Sequence, residues 1–175
     1  GTFNASVGTF NFDWGSGNLN VSTSATFNNL TFSGLGGYQK NLSGDTYLVN
    51  GDLNFTANQV INGTIQAKGN VTVGASAGGG SAVLQFTGGN DQTFTDNGGT
   101  KTSGTVTINK DADKKVTLTT AMSFNNAGQD LAITSGILDL AGFGLTVNDQ
   151  FTIGSSGTLR LQGGESINKV PASLA

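Results

Sequence analysis

The chain has 175 residues, enough to bury a core as one domain, and carries a formal net charge of −3. Only 11% of its residues are charged, against roughly a quarter in an ordinary soluble domain, and it has neither cysteine nor histidine. Disulfides, thiolate metal sites and the commonest general base are thereby excluded; eight scattered Lys and Arg give no footprint for nucleic acid or membrane.

What remains is rich in Gly, Thr, Ser and Asn, with 28 glycines and 11 phenylalanines. Thr and Phe suit a pleated, half-buried surface, and Gly, Asn and Asp supply the positive-φ residues of tight turns. Strong helix formers are scarce, so the class expected is all-β. No apolar run approaches the ~20 residues of a membrane span, and no leader opens the chain, which reads as a mature or excised segment.

In chain order, the first strand signal is Gly8-Thr9-Phe10-Asn11-Phe12, followed by Leu30-Thr31-Phe32. Residues Asn58 to Asn62 break the pattern and are expected to loop out, before Val71-Thr72-Val73 and Ala82-Val83-Leu84-Gln85-Phe86 resume it. Val106-Thr107-Ile108 follows, then a second expected loop from Asp111 to Lys115. Thereafter the apolar pairs are Leu131 with Ile133, Leu138 with Leu140, Leu145 with Val147, Phe151 with Ile153, and Leu159 with Leu161. Two apolar side chains at i and i+2 share one face of a strand, so each pair marks a short strand with one side buried.

These pairs recur. Leu131-Ala132-Ile133 returns as Phe151-Thr152-Ile153 and Leu138-Asp139-Leu140 as Leu159-Arg160-Leu161, with Thr134-Ser135-Gly136, Ala141-Gly142-Phe143-Gly144 and Asn148-Asp149-Gln150 as turns between strands. A unit of ~21 residues with three short strands cannot bury its own inward side; stacking it ~4.8 Å along an axis pairs equivalent strands in parallel and builds a continuous core. The fold expected is a right-handed parallel β-helix, or β-solenoid, of about eight rungs of roughly 21 residues and on the order of 40 Å in length. An antiparallel sandwich also uses many short strands, but it predicts no such in-phase period. The whole chain, 1–175, is taken as one solenoid domain. A looser recurrence, in which Gly8-Thr9-Phe10-Asn11-Phe12 is echoed by Ala82-Val83-Leu84-Gln85-Phe86 and again by Gly157-Thr158-Leu159-Arg160-Leu161, divides it into superrepeats of approximately 8–81 and 82–156, with a third beginning at 157.

Phrases such as Gly8-Thr9-Phe10-Asn11-Phe12, Thr26-Phe27-Asn28-Asn29-Leu30-Thr31-Phe32 and Ser135-Gly136-Ile137-Leu138-Asp139-Leu140 resemble the repeats of very large bacterial surface proteins, the filamentous-haemagglutinin-style adhesin stalks. The resemblance covers nearly the whole chain. It implies export, a secreted or cell-surface location, and a structural or adhesive role as a rigid stalk or repetitive binding surface. Its partners would be neighbouring repeats or copies of itself through the solenoid ends, with surface polysaccharide as a further partner; no membrane insertion is expected. Two alternatives are a self-assembling subunit of an extracellular filament and a carbohydrate-binding or carbohydrate-active β-helix.

No residue is assigned a catalytic, cofactor-binding or metal-ligating role, and no cofactor is expected. Asp13, Asp45, Asp52, Asp91, Asp96, Asp111, Asp113, Asp130, Asp139, Asp149 and Glu165 are read mostly as turn residues or outward strand positions, with Asp139 and Arg160 outward and pairing across adjacent rungs. Gly88-Gly89-Asn90-Asp91 and Asp111-Ala112-Asp113 carry fragments of calcium-loop spacing without the tandem repeats or bidentate Glu such sites need. Sequons begin at Asn4, Asn20, Asn29, Asn41, Asn54, Asn62 and Asn70, where amide ladders and turn caps compete with glycosylation. Thr105-Val106-Thr107 and Thr117-Leu118-Thr119 present outward hydroxyls in the manner of an ice-binding face, but such pairs change face or lapse. Trp14, Tyr38 and Tyr47 are the first candidates for carbohydrate stacking.

Overall fold

The computed structural model describes residues 3–13, 15–34 and 37–173, and among these it is all-β, with no helix. The chain coils into a parallel β-solenoid, and every strand pairing in the main sheet is parallel.

Three faces can be followed. Face one stacks nine strands: the first part of Phe3–Asp13, the first part of Ala25–Ser33, then Thr46–Val49, Thr64–Ala67, Val83–Gly88, Val106–Lys110, the first parts of Leu131–Asp139 and Phe151–Arg160, and the short Ala172–Ser173. Its register runs Ala5, Phe27, Val49, Ala67, Phe86, Ile108, Ile133, Ile153, with the shortest step from Val49 to Ala67 and the longest from Ile108 to Ile133. These seven turns average about 21 residues each, in close agreement with the expected rungs.

Face two takes the remainders of the long strands together with Leu53–Ile61, Val71–Ala77, Gln92–Asp96 and Lys115–Leu118. Face three is the least regular. It carries Leu19–Asn20, Gln39–Asn41 and the end of Leu53–Ile61, then Met122–Phe124 paired with Leu145–Val147. Between these two groups it is reduced to single bonds such as Val60 N to Gly79 O (2.9 Å) and Ser103 N to Gly80 O (2.6 Å). Three strands in every rung is therefore too regular an expectation, because glycine-rich backbone replaces the third strand in the middle coils.

The core is a set of vertical stacks. Leu30, Leu53, Val71, Phe94 and Leu118 lie one above another inside face two, all buried, and Phe12, Phe32 and Phe55 form a neighbouring column. Their rings lie face to face, 5.5 Å apart in each pair and tilted by only 9° and 11°. Parallel in-register pairing imposes this repeat, since each side chain meets its equivalent on the next coil.

Two corner details differ from the sequence reading. Of the expected loop from Asn58 to Asn62, only Asn62, at φ 54°, lies beyond the strand Leu53–Ile61; the rest ends that strand, and Asn58 turns the corner within it at φ 63°. The Asn58 side chain is buried; its Nδ2 donates to Ser33 O (3.0 Å) and its Oδ1 accepts from Tyr38 N (3.1 Å). The segment at Asp111 does turn, closed by Lys114 N donating to Asp111 O (3.1 Å), but Lys115 already begins the next strand. The segments linked by the longer recurrence stand on different faces, Phe10 and Phe12 on face two and Leu84 and Phe86 on face one.

Candidate functional site

Two grooves lie along the corner between faces two and three. One groove of about 680 Å³ is lined by Asp13, Ser33, Gly34, Gly37, Thr56, Ala57, Asn58, Gln59, Ser76 and Gly78. A second, of about 440 Å³, is lined by Asp96, Gly98, Gly99, Thr100, Lys101, Ala121, Ser123, Asn125, Asn126 and Gln129. They adjoin where Gly78 and Thr100 pair between neighbouring coils. Glycines 34, 37, 78, 98 and 99 belong to the lining, and hydroxyl and amide side chains from successive coils supply most of the rest.

Behind this wall lie polar groups that the alternating pattern conceals. Asp96 occupies the inward position that Val73 fills one coil earlier, and its carboxylate pairs with the Lys101 ammonium, the two side chains only 6% and 8% exposed. Asp96 Oδ1 also accepts from Gly98 N (2.8 Å), and Lys101 donates to Gly99 O (3.2 Å). Gln129, buried below, donates to Lys101 O (2.6 Å) and accepts from Asn126 N (2.9 Å). At another corner Lys110 is buried and donates to Thr87 O (2.7 Å) and to the Gln92 side chain. Gln92 in turn donates to Ala67 O (3.0 Å) and to Gly69 O. Burial holds the ammonium groups of Lys40 and Lys110 below the usual lysine range, while nearby Asp13 and Asp111 respectively pull the other way. These groups tie coils to one another, and Lys110 is engaged by internal acceptors.

Other sequence candidates find definite places. Asp139 does pair with Arg160, at 3.8 Å and in direct register, but it is buried rather than outward. Lys115 stands on its other side at 3.9 Å, and Asp139 Oδ1 accepts from Ala141 N (3.0 Å), so the carboxylate is enclosed by groups from three coils. Asp96 is the second correction to the reading of acids as surface residues. Tyr47 is the third correction: it is fully buried in the core beside Phe27, with its ring centroid 5.3 Å away, and is not available for stacking on a sugar. Its phenol finds no hydrogen-bond partner among the described residues, and burial, helped by Asp45, pushes its pKa up to about 12. Tyr38 is half-buried; Trp14 lies outside the described residues.

The sequon asparagines form part of the coil-to-coil bonding. Asn20, Asn41 and Asn62 stand at intervals of 21 residues and link by Asn41 Nδ2 to Asn20 Oδ1 (3.0 Å) and Asn62 Nδ2 to Asn41 Oδ1 (3.2 Å). Asn29 and Asn70 accept from Asp52 N (2.8 Å) and Thr93 N (2.9 Å), each capping the next strand. Asn54 stands outward between Thr31 and Thr72, and the side chain of Asn4 lies outside what is described. Thr107 stands on face one but Thr117 on face two, so these threonines do change face. Asp91 accepts from Lys115 N (3.1 Å), which makes that fragment a strand cap, and Asp113 sits at φ 64° in its turn. Among the described residues no three Asp or Glu gather closely enough to hold a metal ion.

Glu165 closes the last corner. Its carboxylate accepts from the backbone N–H groups of Gln162 (2.7 Å), Gly163 (2.7 Å) and Gly142 (3.0 Å), which hold its pKa below the ordinary value. The last of these reaches back one coil.

No family model, curated protein or solved structure matches the chain. The architecture itself is therefore what bears on function.

Proposed function

We propose that the chain is a non-catalytic spacer and adhesive segment of a bacterial secreted or cell-surface protein. The observation that carries this reading is the unbroken parallel ladder from Phe3–Asp13 to Phe151–Arg160, in which each coil is bonded to the coils before and after it. Such a ladder makes a rod whose length grows with coil number while its cross-section stays constant, the property a spacer needs. The resemblance of its repeats to adhesin stalks points the same way, and the absence of cysteine suits export through an oxidising compartment. Electron microscopy or small-angle scattering of the purified chain tests the reading: a monomeric rod on the order of 40 Å long is expected. Turnover of any member of a polysaccharide panel would overturn the non-catalytic assignment.

A second reading, assembly of copies end to end into a filament, is favoured by one observation. Among the described residues Phe3–Asp13 pairs on one side only, with Ala25–Ser33, and an apolar hollow of about 210 Å³ lined by Phe10, Phe12, Val21, Thr23, Ala25, Phe27 and Tyr47 lies at that end. A parallel strand would cover both, whether from a preceding coil of a longer chain or from a second copy, and in the latter case the head-to-tail contact does not close. Rods that lengthen with protein concentration would support it, and discrete rods at all concentrations would exclude it.

A further inference from the structure

We infer that the corner between faces two and three binds a linear, uncharged polysaccharide laid along the solenoid axis. The inference rests on the adhesive part of the function proposed above and names its ligand class and site.

Shape gives the first constraint. The two grooves draw their lining from six successive coils, from Asp13 on the first to Ser123 on the sixth, and they adjoin at the Gly78–Thr100 pairing. Five steps of ~4.8 Å give a strip about 24 Å long and one strand-corner wide. A ligand that fills such a strip is a chain rather than a compact molecule.

Chemistry gives the second. The polar side chains there are chiefly hydroxyls and amides: Gln59, Ser76, Thr100 and Ser123 can donate and accept, while Ser33 and Thr56, whose hydroxyls already donate to Asn11 Oδ1 (2.7 Å) and Phe32 O (2.9 Å), can accept. Sugar hydroxyls have the same dual character. At Gly37 and Gly98, where a side chain would project into open space, its absence leaves the backbone open to close approach by a ring.

Charge gives the third. Of the ionic groups in the lining, Asp96 and Lys101 pair with each other, which leaves the strip with the carboxylate of Asp13 and no excess of positive charge. Phosphate, sulfate or uronate polymers would meet nothing to neutralise them, and a nucleic acid would be repelled. An extended peptide is disfavoured for a different reason. It binds best by adding to a free strand edge, whereas the backbone here is engaged between coils, as in Thr100 N to Ala77 O (2.9 Å) and Gly78 N to Asn58 O (2.8 Å). Single hydroxyl contacts are weak against water, so affinity must accumulate over several coils; polymers should bind and monosaccharides should not.

Affinity electrophoresis and calorimetry with soluble neutral glucans, mannans and xylans, beside pectate and alginate as charged probes, test the proposal. Retardation by at least one neutral polymer, without retardation by the charged ones, is expected. Thr100→Val and Ser76→Val should each weaken that binding several-fold, whereas Thr107→Val on face one should leave it unchanged, all three with the native unfolding midpoint. Absence of binding to every neutral polymer, binding to the charged polymers alone, or equal loss in the face-one variant would overturn it. Rod dimensions are read independently, so failure here is distinguishable from failure of the spacer role.

Discussion

At the level of single residues, the fold is most sensitive where polar groups have been taken inside. Lys101 and Asp96 satisfy each other in a nearly buried pair. Removing one partner leaves an uncompensated charge, so Lys101→Met should destabilise the chain by about 3–5 kcal/mol in chemical denaturation, and the double variant with Asp96→Leu should recover most of that loss. Tyr47 is the opposite case, since its buried phenol lacks a partner among the described residues. Tyr47→Phe deletes an unsatisfied group and should stabilise by about 1 kcal/mol or more. It should also change the alkaline limb. A pKa raised to about 12 means that the neutral phenol's contribution is complete below the unfolded value of 10.0 and is lost as pH rises through the folded value. Stability of the native chain should therefore fall between those limits, and the Phe variant should fall less. Gly136 belongs at this scale as well. It sits at φ 77°, and a Cβ there would lie 2.5 Å from Lys110 Cβ and 2.9 Å from Lys114 O. Gly136→Ala combines a left-handed backbone with a clash and should cost roughly 1–3 kcal/mol, read as a lowered denaturation midpoint.

For strands and corners, the apolar pairs at i and i+2 are enough to find most strands and their inward sides, because alternation is a direct record of which side faces the core. Leu131 with Ile133 and Leu138 with Leu140 are buried as that rule requires. Two things are not legible in this way. Successive coils differ in length, the step from Ile108 to Ile133 being much longer than that from Val49 to Ala67, so side chains stacked in space are not evenly spaced in the chain. The grooved corner, assembled from several such unequal steps, cannot be drawn in advance. The inward polar residues escape notice for a related reason: Gln92, Phe94 and Asp96 keep strict alternation, but only the phenylalanine announces its side by being apolar. Asn58 misleads because a left-handed residue is normally a turn, while here it bends a strand without leaving the sheet. The corner at Glu165 carries its own prediction. Its carboxylate, with a pKa held below the ordinary 4.5, fastens three backbone N–H groups. That fastening is complete above the unfolded value and is lost as pH falls through the lower folded one. The protection factors of the Gln162 and Gly163 amides, exchange rates taken relative to the unfolded chain at the same pH, should fall at acid pH, and Glu165→Gln should show lowered protection at all pH values.

Over the whole molecule, stability is close to a sum over coils and the contacts between neighbours. A large core deletion in a middle coil should then separate the chain into two weakly coupled halves. Phe86→Ala, at a fully buried position, should cost about 3–5 kcal/mol and turn a single unfolding transition into two, followed by tryptophan fluorescence for the half carrying Trp14 and by far-ultraviolet dichroism for the whole.

The same one-dimensional bonding determines how the rod answers a mechanical load. Traction between the termini does not shear all the pairings together; it strips one coil at a time from an end, because each coil is fastened to its neighbours alone. One coil of roughly 21 residues releases on the order of 60–90 Å of extended chain in exchange for ~4.8 Å of rod. In an optical trap the extension trace should show a sawtooth with that spacing, and the molecule would serve its bearer as a tether that dissipates a sudden tug in instalments instead of snapping.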